Sequence, residues 1–179
     1  VLDRMIRYMP DAAKKVMTAV EAGSDEPVVV HVDKPLTAFV FKTLLDPFAG
    51  KQSFVRIFSG ELKEGDKLFN VNQGAEEKWS KMVTLIGKQQ IPVSAAKAGD
   101  IVVIPKLANA KTGDTLTTPD FKVKYDPIRF PQPLYTVALE PTTKGEEEKL
   151  AGAVLKVAEE DPTCVVVKNP EARQLQIDC

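Results

Sequence analysis

The dipeptide Gly-Asp occurs at Gly65-Asp66, Gly99-Asp100 and Gly113-Asp114, and each time an apolar residue follows within two positions. Glycine supplies the positive-φ corner of a tight turn, and an aspartate side chain can bond back to the backbone there. Around these corners lie short β-rich runs at Leu36–Leu45, Ser53–Ser59, Asp66–Val71, Lys78–Leu85 and Asp100–Ile104. Within Lys67–Val71, Phe69 and Val71 alternate with polar Asn70, so one face of the run is buried and the other wet. Residues 36–125 are therefore predicted to close into a β-barrel with sharp corners.

The flanks read differently. Leu2, Met5, Ile6 and Met9 have the spacing of an amphipathic helix that Pro10 interrupts. A second short helix is expected over Ala12–Ala22, stopped by Gly23, before a polar linker at Ser24-Asp25-Glu26-Pro27. The prolines at Pro127, Pro131 and Pro133 lack backbone donors, and this marks a domain boundary near residue 126. Beyond it the order is strand, helix, strand, strand. A strand is expected at Leu134–Glu140. Thr143 and Glu146 have the spacing of a capping box, and Leu150, Val154, Val157 and Ala158 form the buried stripe of a helix that ends before Pro162. Val165–Val167 and Leu175–Ile177 follow as two strands joined through Asn169-Pro170-Glu171. The predicted fold class is thus mainly β plus α+β, a barrel followed by an incomplete ferredoxin-like β-α-β-β unit whose last helix and strand would lie after Cys179.

Chemistry-bearing motifs are scarce. No G-x-x-x-x-G-K-[ST] loop, G-x-S-x-G or H-E-x-x-H occurs, and His31 is the single histidine. It reads as an ordinary surface or partly packed side chain. Cys164 and Cys179 stand far apart with no ligand spacing around them, so they read as two reduced thiols rather than a zinc site or disulfide framework. The acidic runs Glu146–Glu148 and Glu159–Asp161 read as solvated helix faces. Trp79, between Lys78 and Lys81, reads as the packed aromatic of an amphipathic strand, with stacking on an RNA base as the alternative. A net charge of −1 gives no global attraction to nucleic acid, so any RNA contact must be local. No apolar run has the length to span a bilayer and no secretion signal opens the chain, which leads to the expectation of a cytoplasmic protein.

The segments Ala38-Phe39-Val40-Phe41-Lys42-Thr43, Asp46-Pro47-Phe48-Ala49-Gly50-Lys51 and Phe54-Val55-Arg56-Ile57-Phe58-Ser59-Gly60, with Leu62 and Gly65-Asp66, resemble the start of the second domain of elongation factor G. Gly99-Asp100 and Thr112-Gly113-Asp114-Thr115-Leu116 are similar to later corners of the same barrel. Glu140-Pro141, Glu148-Lys149-Leu150 and Glu159-Glu160-Asp161-Pro162-Thr163 are similar to the opening strand and first helix of the third domain. Leu2-Asp3 through Tyr8-Met9-Pro10 resembles the last helix of the GTPase domain. The spacer from Pro10 to Leu36, and Ile177-Asp178-Cys179 where the family usually has Ile-Ser-Gly, depart from the pattern and suggest a divergent paralogue.

The resemblance implies three parts: the end of a GTPase domain with a linker over residues 1–35, a domain II barrel over 36–125, and a partial domain III over 126–179. It implies a ribosome-docking fragment of an elongation factor G-like GTPase acting in ribosomal translocation. With no phosphate-binding loop, the fragment is expected to have no enzymatic activity, no catalytic or metal residues and no cofactor, GTP and Mg²⁺ belonging to the missing GTPase domain. Its implied partners are small-subunit ribosomal RNA and protein and that GTPase domain, with no membrane and no DNA. Lys42 and Arg56 fall at positions kept for barrel structure or contact, and Lys144 heads the third-domain helix near its ribosome-facing side. Taken alone, these are basic residues at strand or helix starts, where a solvated or salt-bridged role is the default. The alternatives are a free-standing protein-interaction module, or the same domains from a ribosome-protection or release-factor-type GTPase.

Overall fold

The computed structural model describes residues 1–11, 15–24, 26–87, 89–143, 145–169 and 174–179. Helix α1 (Leu2–Tyr8) takes the predicted amphipathic stretch, and none of its residues is buried. Of the helix expected over 12–22, residues 12–14 lie outside the described residues and Met17–Glu21 form strand β1 instead, in a hairpin with β2 (Pro27–Val30), Met17 facing Val30 and Val20 facing Pro27. Val28-Val29-Val30 has the branched Cβ atoms that favour a pleated strand, and it supplies β1 with a partner. Gly23, at φ 102°, is the corner of that hairpin rather than a helix stop. Pro27 accordingly opens a strand instead of closing a linker, while Asp25 lies outside the described residues.

Strands β3 (Thr37–Asp46) and β4 (Gly50–Ser59) form the longest hairpin. They are followed by β5 (Glu61–Lys63), β6 (Leu68–Asn70), β7 (Ala75–Glu77), β8 (Met82–Ile86), β9 (Gln89–Val93), β10 (Ala95–Lys97), β11 (Ile101–Pro105) and β12 (Thr115–Thr117). Eight of these make an antiparallel ladder in the order β7-β6-β12-β3-β4-β11-β8-β9, and β5 pairs with β10. Val40, Ile57, Leu68, Met82, Ile104 and Leu116 come from six different strands and are all 0% exposed, so the curled ladder encloses one core. Each such side chain contributes about 1.5–3 kcal/mol of burial free energy. The predicted closed cylinder is a barrel with an open seam, because β7 and β9 are the two ends of the ladder. Pro92 in β9 has no N–H to donate, which suits an edge.

The first four residues of β3 are buried on both faces. Ala38 and Val40 point into the barrel, whereas Phe39 joins a second cluster with Ala19, Val30, Val123 and Tyr125. That cluster lies under a small sheet ordered β13-β1-β2, in which β13 (Val123–Lys124) pairs with β1 through Val20 opposite Lys124. The chain just before the barrel and the chain just after it are therefore bonded to each other. Beneath this clasp runs a line of hydroxyls. Ser59 Oγ donates to Pro35 O at 2.6 Å, so the 2.7 Å bond between Thr37 Oγ1 and Ser59 Oγ must be donated by Thr37. The 2.7 Å bond between Tyr125 and Thr37 is then donated by the tyrosine.

Residues 126–135 carry no regular structure. After them come β14 (Thr136–Leu139), α2 (Glu147–Glu160), β15 (Val165–Asn169) and β16 (Gln174–Asp178), the strands in the order β14-β16-β15. This is the expected β-α-β-β unit. The predicted capping box does not form: Glu146 is the N-cap residue without a side-chain cap bond. Its carboxylate pairs with Lys149 at 2.9 Å instead, after Gly145 has turned the chain at φ 91°. The buried stripe of α2 is also narrower than predicted, with Val154 buried and Val157 50% exposed. The joining residues 170–173 lie outside the described residues.

Candidate functional site

The three Gly-Asp corners share one geometry. Gly65, Gly99 and Gly113 sit at φ 92°, 99° and 96°. In each, the aspartate carboxylate accepts the N–H of the residue three positions earlier: Lys63 to Asp66 at 2.7 Å, Lys97 to Asp100 at 2.8 Å and Lys111 to Asp114 at 2.9 Å. The backbone N–H of each aspartate returns to the carbonyl of that same lysine. The recurring unit is thus Lys-x-Gly-Asp, a turn clipped from both directions. Asp114 is 5% exposed and also accepts from Asn70 Nδ2 at 2.9 Å, which ties the third corner to β6.

The most accessible large side chain of the barrel stands on the β3–β4 turn. Asp46 Oδ1 accepts the N–H groups of Ala49 at 2.7 Å and Phe48 at 2.8 Å, and these bonds hold its carboxyl below the usual range. The turn so fixed presents Phe48 fully to solvent, at 100% exposure. Beside it is a groove of about 310 Å³ lined by Phe48, Gln52, Lys81, Gln90, Val103 and Lys106. Lys106 is the only non-glycine among the described residues with positive φ, at 61°. Its N–H donates to Lys51 O at 2.8 Å, which holds the strained residue against the hairpin. An exposed ring beside two ammonium groups can stack on a base while the lysines meet phosphate.

The residues singled out in the sequence do not converge. Lys42 is exposed on β3 opposite Phe54, whereas Arg56 lies half-buried opposite Phe39. Arg56 sits over the Phe58 ring at 5.8 Å, and its Nε is buried without a partner. Lys144 lies outside the described residues. Trp79 precedes β8 instead of lying in a strand, and its Nε1 donates to Asp66 O at 2.8 Å while the ring packs on the barrel core. This is the packed role rather than the stacking one. His31 is exposed at the end of β2. Glu159 reaches back to the barrel and forms an ion pair with Lys51. Among the described residues no group of His, Cys, Asp or Glu is arranged to hold a metal ion, and no helix is long and apolar enough to cross a membrane. The groove was missed in the sequence because Phe48, Lys81 and Lys106 belong to separate segments that only the β3-β4-β11-β8 order brings together.

Comparison with known proteins agrees with this architecture. The family model for elongation factor G domain 2 matches residues 35–119, and that for elongation factor G domain III matches residues 130–179. The chain is 33% identical over 180 aligned residues to elongation factor G from Orientia tsutsugamushi strains Boryong and Ikeda, covering 99% of this chain and 26% of each relative. It spans about a quarter of the length of those relatives, since the covered share is 26%. A crystal structure of a protein from Thermus thermophilus superposes with a TM-score of 0.77 at 26% identity, over 99% of this chain and 24% of that one.

Proposed function

From the premise that the chain belongs to the elongation factor G family, we propose that its barrel and β-α-β-β unit are the ribosome-docking part of a translation elongation factor acting in translocation. Nucleotide hydrolysis, with GTP and Mg²⁺, is assigned to a GTPase domain outside these residues. The domain limits that go with this reading are 1–35 for the end of that GTPase domain and its linker, 36–125 for the barrel and 126–179 for the third domain. Its setting is the cytoplasm, and its partners are the RNA and protein of the small subunit and the GTPase domain.

The observation that carries the docking reading is the fully exposed Phe48 beside Lys81 and Lys106. Lys42 and Lys144 are further candidates for contact, and Arg56 is assigned to barrel structure, since its side chain is half-buried against Phe58. Binding of this kind releases counterions and therefore weakens with salt.

Sedimentation of the chain with purified small ribosomal subunits across a salt series tests the proposal. The chain should pellet at low salt, and Lys81→Ala combined with Lys106→Gly should flatten the slope of log affinity against log salt by about two. Glycine relieves the left-handed strain at position 106, so weaker binding by this variant is not a folding defect. Phe48→Ser should weaken binding and leave the slope unchanged. Failure to pellet at low salt, or an unchanged slope in the double variant, would refute the assignment. Calorimetry should find no GTP binding to the chain, and tight binding would count against a separate GTPase domain.

A further inference from the structure

Cys164 and Cys179 are 15 positions apart in sequence, yet their sulfurs lie 2.6 Å from each other as free thiols. They are free thiols, as the sequence reading has them, but they are neighbours in space, and the strand register explains why. β15 and β16 are antiparallel with Val165 opposite Asp178, which makes Cys164 and Cys179 the next pair outward. Cys179 directs its backbone away from Cys164. Its N–H donates to Tyr135 O at 2.9 Å, and its carbonyl accepts from Leu134 and Tyr135 at 3.0 Å each. The two cysteines therefore form a non-hydrogen-bonded cross-strand pair, in which Cα atoms lie about 4.5 Å apart. A disulfide spans a Cα separation of about 4.4–6.8 Å, so the backbone need not move. Cys164 is held from the other side by its N–H bond to Asp161 O at 3.1 Å. Cys179 is exposed and Cys164 half-buried, so a small oxidant reaches both.

We propose that Cys164 and Cys179 are a reversible dithiol modification site, converted by a hydroperoxide into a disulfide that ties β15 to β16. The first sulfur attacks the O–O bond, forming S–O and releasing an alcohol, or water if the oxidant is hydrogen peroxide. The second sulfur then displaces the oxygen as water, forming S–S and breaking S–O. Two thiols and one hydroperoxide give one disulfide, one alcohol and one water, and the two electrons lost by sulfur reduce the O–O bond. The Cys179 thiol is pushed up to about 11, first by its hydrogen bond to Cys164 and then by lost hydration. It keeps its proton near neutrality, so the disulfide forms faster as the pH rises toward that value. The disulfide pins the end of β15, an edge strand, to the central strand of its sheet.

The test uses the 179-residue chain treated with an equimolar amount of hydrogen peroxide at neutral pH. Its intact mass should fall by two hydrogens, with both thiols lost together. Cleavage after Lys156, Lys168 and Arg173 under non-reducing conditions should release residues 157–168 linked to residues 174–179. Dithiothreitol should restore both thiols. Under the same treatment Cys179→Ser should instead gain oxygen at Cys164 or couple between molecules. A wild-type chain that gains oxygen without the internal link, or links only between molecules, would overturn the proposal.

Discussion

The hydroxyl line under the β1–β2–β13 clasp makes the cost of losing one member depend on which donor is left behind. Thr37 and Ser59 are 0% exposed and Tyr125 is 4% exposed, so water cannot replace a missing partner. Thr37→Val keeps the side-chain shape but removes the central member. Two hydrogen bonds at about 1 kcal/mol each are lost, and the Tyr125 hydroxyl is left as a buried donor, which adds about 1 kcal/mol or more. The total is about 3 kcal/mol. Tyr125→Phe removes one bond and leaves Thr37 still donating to Ser59, so it costs about 1 kcal/mol. The double variant loses both bonds but orphans no donor, for a cost of about 2 kcal/mol. Adding Tyr125→Phe to Thr37→Val should therefore restore about 1 kcal/mol rather than subtract another. Urea unfolding followed by circular dichroism and by Trp79 fluorescence measures all four proteins, with coincident transitions as the check on two-state behaviour. Strict additivity of the two single costs would refute the donor order assigned here. Burial raises the Tyr125 pKa above its ordinary 10.0. A raised pKa contributes stability that is complete below 10.0 and is lost as pH rises through the folded value. Tyr125→Phe lacks that alkaline loss, so the gap between it and the wild type should narrow above pH 10.0.

Two further outcomes follow from the turns. A Cβ on Gly60 would stand 2.7 Å from Leu36 N and 2.9 Å from Leu36 Cα at φ +68°, whereas one on Gly65 would meet open space at φ +92°. Gly65→Ala should cost about 1–2 kcal/mol for left-handed strain alone, and Gly60→Ala distinctly more, because backbone atoms cannot yield. Equal urea midpoints for the two variants would contradict this. The Asp46 carboxyl is held below its ordinary 3.8 by the Ala49 and Phe48 amides, so its support of the hairpin tip is complete above 3.8 and fades as pH falls through the lower folded value. The amide resonances of Phe48 and Ala49 should titrate with a midpoint below 3.8, and a midpoint at or above it would show that the turn is not fastened this way.

Much of the barrel was legible because its corners are local. A glycine and the aspartate beside it carry the whole turn within four residues, so the signal survives in sequence. Strands such as β5, β7 and β12, at three residues each, are too short for alternation to register. β12 is the sharper case: Thr115 is a buried polar residue whose Oγ1 accepts the Tyr125 N–H at 3.1 Å, a partner ten positions away, and Thr117 is buried with its hydroxyl unpartnered. The hairpin of β1 and β2 reads in sequence as a helix and a linker because Met17, Ala19 and Val20 satisfy either period until Val28–Val30 arrive as a partner. The candidate groove and the cysteine pair share that limit. Each is assembled by register between separate segments, and no local pattern around Phe48, Lys106 or Cys164 announces it.

The clasp between β1 and β13 has a mechanical consequence. The strands are antiparallel, with Val20 opposite Lys124 and Glu21 opposite Val123. Polypeptide arriving at Met17 and polypeptide departing beyond Lys124 thus lie toward the same end of that short ladder. Tension between whatever precedes and whatever follows opens it like a zip, one bond at a time, instead of shearing all its bonds at once. The barrel strands are shielded from the load until the zip has parted, which makes this junction a soft spring between its neighbours.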